Sequence, residues 1–75
     1  MGVSYKRLWK ILVERDISRA DLRKQLKISP NTMTKLFKNE YVAMPILNKI
    51  CENLEVDYGE IIQYIPDKED KNNGI

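Results

Sequence analysis

Two helix-start signals, Ser18 and Ser29, lie eleven residues apart, and almost no chain separates the helices they open. The Ser18 hydroxyl is spaced to accept from the amide of Asp21, and an acid at Asp21 favours a helix beginning there. Leu22 and Leu26, four apart, give this helix one apolar face, and Ile17 before the cap acts as a staple. The helix is expected to end near Lys27. Ser29 is again a strong cap, and Pro30 takes the first helical position, where its missing N–H costs nothing. With only two or three residues between Leu26 and Pro30, the two helices must cross steeply. Leu22, Leu26, Ile28, Met33 and Leu36 then share one core, with Phe37 on the same apolar face. The start and outer face of the second helix stay exposed.

The flanking chain extends this pattern. Tyr5, Leu8, Ile11 and Leu12 form a stripe at helical spacing, which predicts a helix from about Ser4 to Arg15 with Trp9 as a core wall beside it. Asn39 is suited to close the Ser29 helix in a left-handed conformation. Pro45 restarts a helix carrying Ile46, Leu47, Ile50, Cys51 and Leu54. Asp57 caps a last one, with Glu60 as its return partner. Ile61, Ile62, Tyr64 and Ile65 follow before Pro66; being β-branched and aromatic, part of that stretch reads equally as extended chain. The expectation is an all-α domain of five short helices over residues 1–66, possessing a core of Leu8, Ile11, Leu12, Ile17, Leu22, Leu26, Ile28, Met33, Leu36, Leu47, Ile50, Leu54 and Ile61. Residues 67–75 are charged and polar, without apolar spacing, and are expected to form a disordered tail.

Seventy-five residues make one small domain, and its own core gives thin stability. Such chains lean on disulfides, a metal or a partner subunit, or on well-made helix packing. Cys51 is the only cysteine and histidine is absent, which excludes an internal disulfide, Cys/His zinc sites and a histidine general base. Cys51 lies on an apolar helix face and reads as a small core residue in a reducing compartment. Glu52, Glu55, Asp57 and Glu60 read as caps and a solvated face rather than a metal site, and there is no glycine-rich phosphate loop. No run approaches the ~20 apolar residues of a membrane span. No signal peptide is visible, and Lys6 breaks the myristoylation pattern that Met1-Gly2 opens. A non-enzymatic, soluble, cytoplasmic domain is expected, lacking cofactor, metal or small-molecule site.

The charge is small in sum and uneven in place. Residues 1–50 carry eleven Lys or Arg against four acids, a net +7, and residues 51–75 carry two against seven, a net −5. A basic body with an acidic tail points to a polyanionic partner; a solvated helical surface is the plainer alternative. The segment from Ser29 to Asn39 has no acid, whereas a surface helix with nothing to contact usually mixes signs. Asn31, Thr34 and Lys35 fall on its outer face, with Thr32, Lys38 and Asn39 alongside, and these side chains read base edges or hold phosphates.

The spacing runs from Ile17-Ser18 through Leu22, Leu26, Ile28-Ser29, Met33, Leu36 and Lys38-Asn39. It continues through Val42, Leu47-Asn48-Lys49-Ile50-Cys51, Leu54, Val56-Asp57 and Glu60-Ile61. In this the chain resembles the lambda-repressor-like, Cro/XRE-type helix-turn-helix family over residues 4–66, most of all its small stand-alone members. The resemblance implies a sequence-specific regulator of transcription, most simply a repressor that binds a palindromic operator in double-stranded DNA through the helix at residues 29–39. Carried onto this chain, it implies base contacts from Asn31, Thr34 and Lys35, and phosphate contacts from Arg19, Ser29, Thr32, Lys38 and Asn39. Arg19 stands where the family often has a Gln that touches a phosphate. Three positions depart from the pattern: Arg23 replaces a small residue, Lys27 a turn glycine, and Ala43 a capping serine. Lys27 implies either a turn that needs no positive φ or a strained one. Ala43 weakens its helix start by about 1 kcal/mol.

Specific affinity in this family needs two half-sites, so a homodimer is expected. The DNA-facing helix must stay free, and residues 60–66 are more apolar than one helix face can bury; Ile62, Tyr64 and Ile65 are the expected interface. Some small relatives extend this segment into a strand, which here would lie beside Gly2 to Ser4. The competing reading is a helical protein-interaction module, such as an antitoxin or an accessory subunit of a DNA-processing complex. That module would expose apolar side chains where this chain has Asn31, Thr32, Thr34 and Lys35.

Overall fold

The computed structural model describes residues 2–66. In chain order it contains strand β1 (Gly2–Ser4) and helices α1 (Lys6–Arg15), α2 (Arg19–Leu26), α3 (Pro30–Phe37) and α4 (Met44–Leu54), then a single 3-10 turn (Tyr58–Glu60) and strand β2 (Gln63–Ile65). Four of the five expected helices are present. The fifth is reduced to the 3-10 turn, and the all-α expectation is corrected by a two-stranded antiparallel sheet pairing Gly2 with Ile65, Val3 with Tyr64 and Ser4 with Gln63. The capping box at Asp57 does form: Tyr58 N–H donates to its carboxylate (2.7 Å), and Asp57 N–H donates to Glu60 Oε2 (2.7 Å). Beyond it, β-branched side chains and a waiting strand partner favour extended chain. The same pairing takes Gly2–Ser4, so α1 starts at Lys6 rather than Ser4. The expected tail at residues 67–75 lies outside the described residues. Among those described, no helix is long and apolar enough to cross a membrane.

The caps act as their sequence implies. Ser18 Oγ accepts from Asp21 N–H at 3.0 Å, and Ser29 Oγ from Thr32 N–H at 3.1 Å. Ala43 leaves α4 with no side-chain cap. The helix exits share one geometry, with a non-glycine residue at positive φ after each: Asp16 (62°), Lys27 (56°), Asn39 (57°) and Glu55 (57°). The next residue's N–H then returns to a carbonyl five positions back, in Ile17 to Leu12 (2.9 Å), Ile28 to Arg23 (3.4 Å), Glu40 to Lys35 (2.9 Å) and Val56 to Cys51 (3.1 Å). Three of those residues are apolar: Ile28 is buried, and Ile17 and Val56 pack against the core. At Lys27, the strained alternative is the one realised.

Twelve side chains form one buried cluster: Tyr5, Leu8, Leu12, Leu22, Leu26, Ile28, Met33, Leu36, Leu47, Ile50, Leu54 and Ile61. Ile11 and Ile17, expected inside, are half-buried at its edge, and so is Cys51. Tyr5 is the addition. Its hydroxyl donates to Glu40 O (2.7 Å) and its N–H to Asn39 Oδ1 (3.0 Å), so the residue before α1 ties down the exit of α3. Burial raises its phenol above the ordinary value. Two cations of the basic body also hold α1 in place: Arg7 Nη1 donates to Gly59 O (2.8 Å) and Arg15 Nη1 to Leu54 O (2.7 Å).

Candidate nucleic-acid interface

Helix α3 is built to show one polar face. Met33 and Leu36 point into the core, while Asn31, Thr34, Lys35 and Lys38 are exposed. Ser29 and Thr32 share a hydroxyl–hydroxyl bond at 3.0 Å in the first turn, where Thr32 is half-buried. Thr34 Oγ1 donates to Pro30 O at 3.0 Å, which leaves that oxygen free to accept. Asn39 Oδ1 is held by the Tyr5 amide, so its Nδ2 remains as donor.

Three adjoining recesses surround α3. One lies between α2 and α3 and is lined by Arg19, Ala20, Arg23, Pro30, Met33, Thr34 and Phe37. A second, against α1, is lined by Ser4, Lys6, Trp9, Arg19, Phe37 and Asn39. A third is lined by Gly2, Lys35, Asn39, Glu40 and Tyr41. Of the eight candidate DNA-contacting residues, Arg19 and Thr34 share the first recess, Arg19 and Asn39 the second, and Lys35 and Asn39 the third. Ser29, Asn31, Thr32 and Lys38 line none of these three recesses; they lie on the first turn of α3 and at its end.

Spacing makes Trp9 a core wall beside its stripe and puts Phe37 on the apolar face of α3, and neither is fully buried. Trp9 is half-buried, and Phe37 is 44% exposed. Their rings stack with centroids 5.3 Å apart and planes tilted 41°. The Arg19 guanidinium carbon sits 4.7 Å from the Trp9 ring centroid and 4.8 Å from that of Phe37. Trp9 falls beside the buried stripe of its helix, a faint signal of this; Phe37, four residues after Met33, falls on the apolar face and gives none.

Cys51 is chemically quiet. Burial first, then the nearby carboxylates of Asp57 and Glu60, push its thiol up from the ordinary value, so the nucleophilic thiolate is scarce. Among the described residues, no three His, Cys, Asp or Glu side chains stand close enough together to hold a metal.

Residues 7–67 match the sequence pattern of the Cro/C1-type HTH DNA-binding domain. The chain belongs to that family. Among solved structures, the crystal structure of the transcriptional regulator VanUg (Form II) superposes on it with a TM-score of 0.86, at 44% sequence identity and over 88% of each chain. No curated protein sequence matches it. As a Cro/C1-type domain, the chain puts Leu22 and Leu26 of α2 and Met33 and Leu36 of α3 in one core across the short link Lys27–Ser29, which leaves the polar face of α3 exposed.

Proposed function

We propose that this Cro/C1-type protein is a sequence-specific regulator of transcription that represses by binding a palindromic operator as a homodimer. The observation that carries the reading is the outer face of α3, polar and free of acids, exposed while Met33 and Leu36 anchor the helix from behind. Asn31, Thr34 and Lys35 read base edges in the major groove. Arg19, Ser29, Thr32, Lys38 and Asn39 hold phosphates and set the register. The VanUg likeness supports the regulatory role.

The dimer is assigned to the C-terminal strand. Tyr64 is 65% exposed and Ile65 40%, on the short sheet rather than on α3. Ile62, half-buried against the core, joins Tyr64 and Ile65 in the assigned interface through its exposed part. Two copies joined there leave both α3 helices free for half-sites about one helical turn apart. Selection of bound duplexes from a random DNA pool tests the whole reading. A palindromic consensus is expected. A consensus without dyad symmetry would remove the homodimer, and no enrichment at all would remove sequence-specific binding.

A further inference from the structure

We propose that Trp9 and Phe37 are positioning residues: they form an aromatic wedge that fixes the Arg19 guanidinium, with Lys6 and Asn39, as a ready seat for one phosphodiester of the DNA backbone. The inference rests on the DNA-binding reading above and adds to it the wedge and Lys6.

An arginine side chain loses rotamer freedom when a ligand immobilises it. Here the two rings already hold the guanidinium in one place in the free protein. Arg19 is the first residue of α2, behind the Ser18 cap, and its guanidinium lies nearly equidistant from the two rings, at 4.7 and 4.8 Å. The three groups come from three elements: Trp9 from α1, Arg19 from α2 and Phe37 from the last position of α3. A stacked guanidinium uses its faces, and its in-plane N–H groups stay available for a bidentate anion. The recess beside it is lined by Ser4, Lys6, Trp9, Arg19, Phe37 and Asn39: two cations, neutral polar groups and no carboxylate. With Asn39 Oδ1 taken by Tyr5 N–H, the group Asn39 has to offer is a donor. Arg19 and Phe37 also line the recess that holds Thr34 on α3, so the seat adjoins the base-reading face. That adjacency favours a phosphate arriving as part of a duplex over a free anion.

The test uses the full chain and a duplex of about 20 base pairs, with affinity followed against salt and with Trp9, the only tryptophan, as the fluorescent reporter. Duplex should change Trp9 emission, while inorganic phosphate at millimolar concentration, at matched ionic strength, should not. Arg19→Gln should flatten the plot of log affinity against log salt by about 0.9, the value of one lost phosphate contact. Phe37→Leu should weaken binding about 2- to 5-fold, as befits one exposed cation–π contact, leave the salt slope unchanged, and be rescued by Phe37→Tyr. Wild type, Phe37→Leu and Phe37→Tyr should all show the same urea midpoint, which separates the lost ring from a folding defect. If Arg19→Gln leaves the slope unmoved, or Phe37→Leu binds like wild type, the seat is wrong although the protein binds DNA. A response of Trp9 to free phosphate and not to duplex would overturn the DNA assignment of the seat. Failure of the wild type to bind any duplex would remove the DNA-binding reading itself, and the seat with it.

Discussion

Helix α3 and the segment from Tyr58 to Ile65 open with equally good caps, yet one continues for eight residues and the other stops after three. Ser29 and Asp57 both accept from the first turn they precede. What differs lies downstream. α3 carries Met33 and Leu36 three apart, so continuing as a helix buries both. After Glu60 the chain buries Ile61 at once, and Gln63–Ile65 meets a strand partner in Gly2–Ser4. A cap decides where a helix begins; the packing beyond it decides how long the helix lasts. The two segments also present opposite surfaces, polar and basic on α3, apolar at Tyr64 and Ile65. In the proposed function these surfaces divide the labour, one meeting DNA and the other a second copy of the chain.

The largest effect should come from spoiling the apolar surface alone. Fully burying an Ile or a comparable side chain is worth about 1.5–3 kcal/mol; with Tyr64 65% and Ile65 40% exposed, two copies bury the equivalent of about two full side chains, about 3–6 kcal/mol before the entropy of association is subtracted. The Tyr64→Glu, Ile65→Glu double variant should sediment as a monomer at tens of micromolar, with its helical circular dichroism kept. A monomeric wild type, or a variant that still dimerises, would break the comparison on its apolar side.

Leu36→Ala strikes beneath the polar surface. Leu36 is fully buried, and emptying such a site costs about 2–5 kcal/mol, a large part of what a domain this size holds. Its urea midpoint should fall steeply, and DNA binding should fall with it because α3 loses its anchor. An unchanged cooperative melt would contradict the core described here.

On the polar surface itself, two lysines three residues apart should behave differently. Lys35→Ala should relax sequence preference at about 1–3 kcal/mol, the worth of a good base contact. Lys38→Ala should weaken all duplexes about equally and reduce the salt slope. Binding-site selection repeated with each variant separates the two roles, and the reverse pattern would exchange them.

Much of this fold was legible in the sequence because its signals are local. Ser18, Ser29 and Asp57 announce helix starts through bonds to residues one to three positions on, and the Leu22–Leu26 and Met33–Leu36 spacings mark the buried faces. What stayed hidden depends on contacts across the chain. Tyr5 reaches Glu40 and Arg15 reaches Leu54, and no spacing rule encodes such partners; the strand beside Gly2–Ser4 is expected only through the family resemblance. Arg7 and Arg15 therefore count toward a basic body in the sequence although their guanidinium groups hold backbone carbonyls in the fold. The candidate site divides the same way. The α3 face is readable from helical period, whereas the Trp9–Arg19–Phe37 stack needs three elements in place.

The smallest expected effect concerns the entrances to the two compared segments. Lys27 precedes the α3 cap by two residues, and Glu55 precedes Asp57 by two; both hold positive φ, at 56° and 57°. A side chain in that conformation costs about 1–2 kcal/mol, and glycine removes the strain while giving back about 0.4–1 kcal/mol through a more flexible unfolded chain. Lys27→Gly and Glu55→Gly should therefore each stabilise by about 0.5–1 kcal/mol, read as a higher urea midpoint with unchanged slope. The sites occupy different turns, so the double variant should show the sum within about 0.3–0.5 kcal/mol. If Glu55→Gly gains and Lys27→Gly loses, the Lys27 side chain is contributing more than its backbone costs. It lines the same surface recess as Gln25, Lys49 and Glu52, where its apolar stem has α2 and α4 to cover. In that case the turn into α3 would be held by a side chain, and the turn into the C-terminal segment by backbone alone.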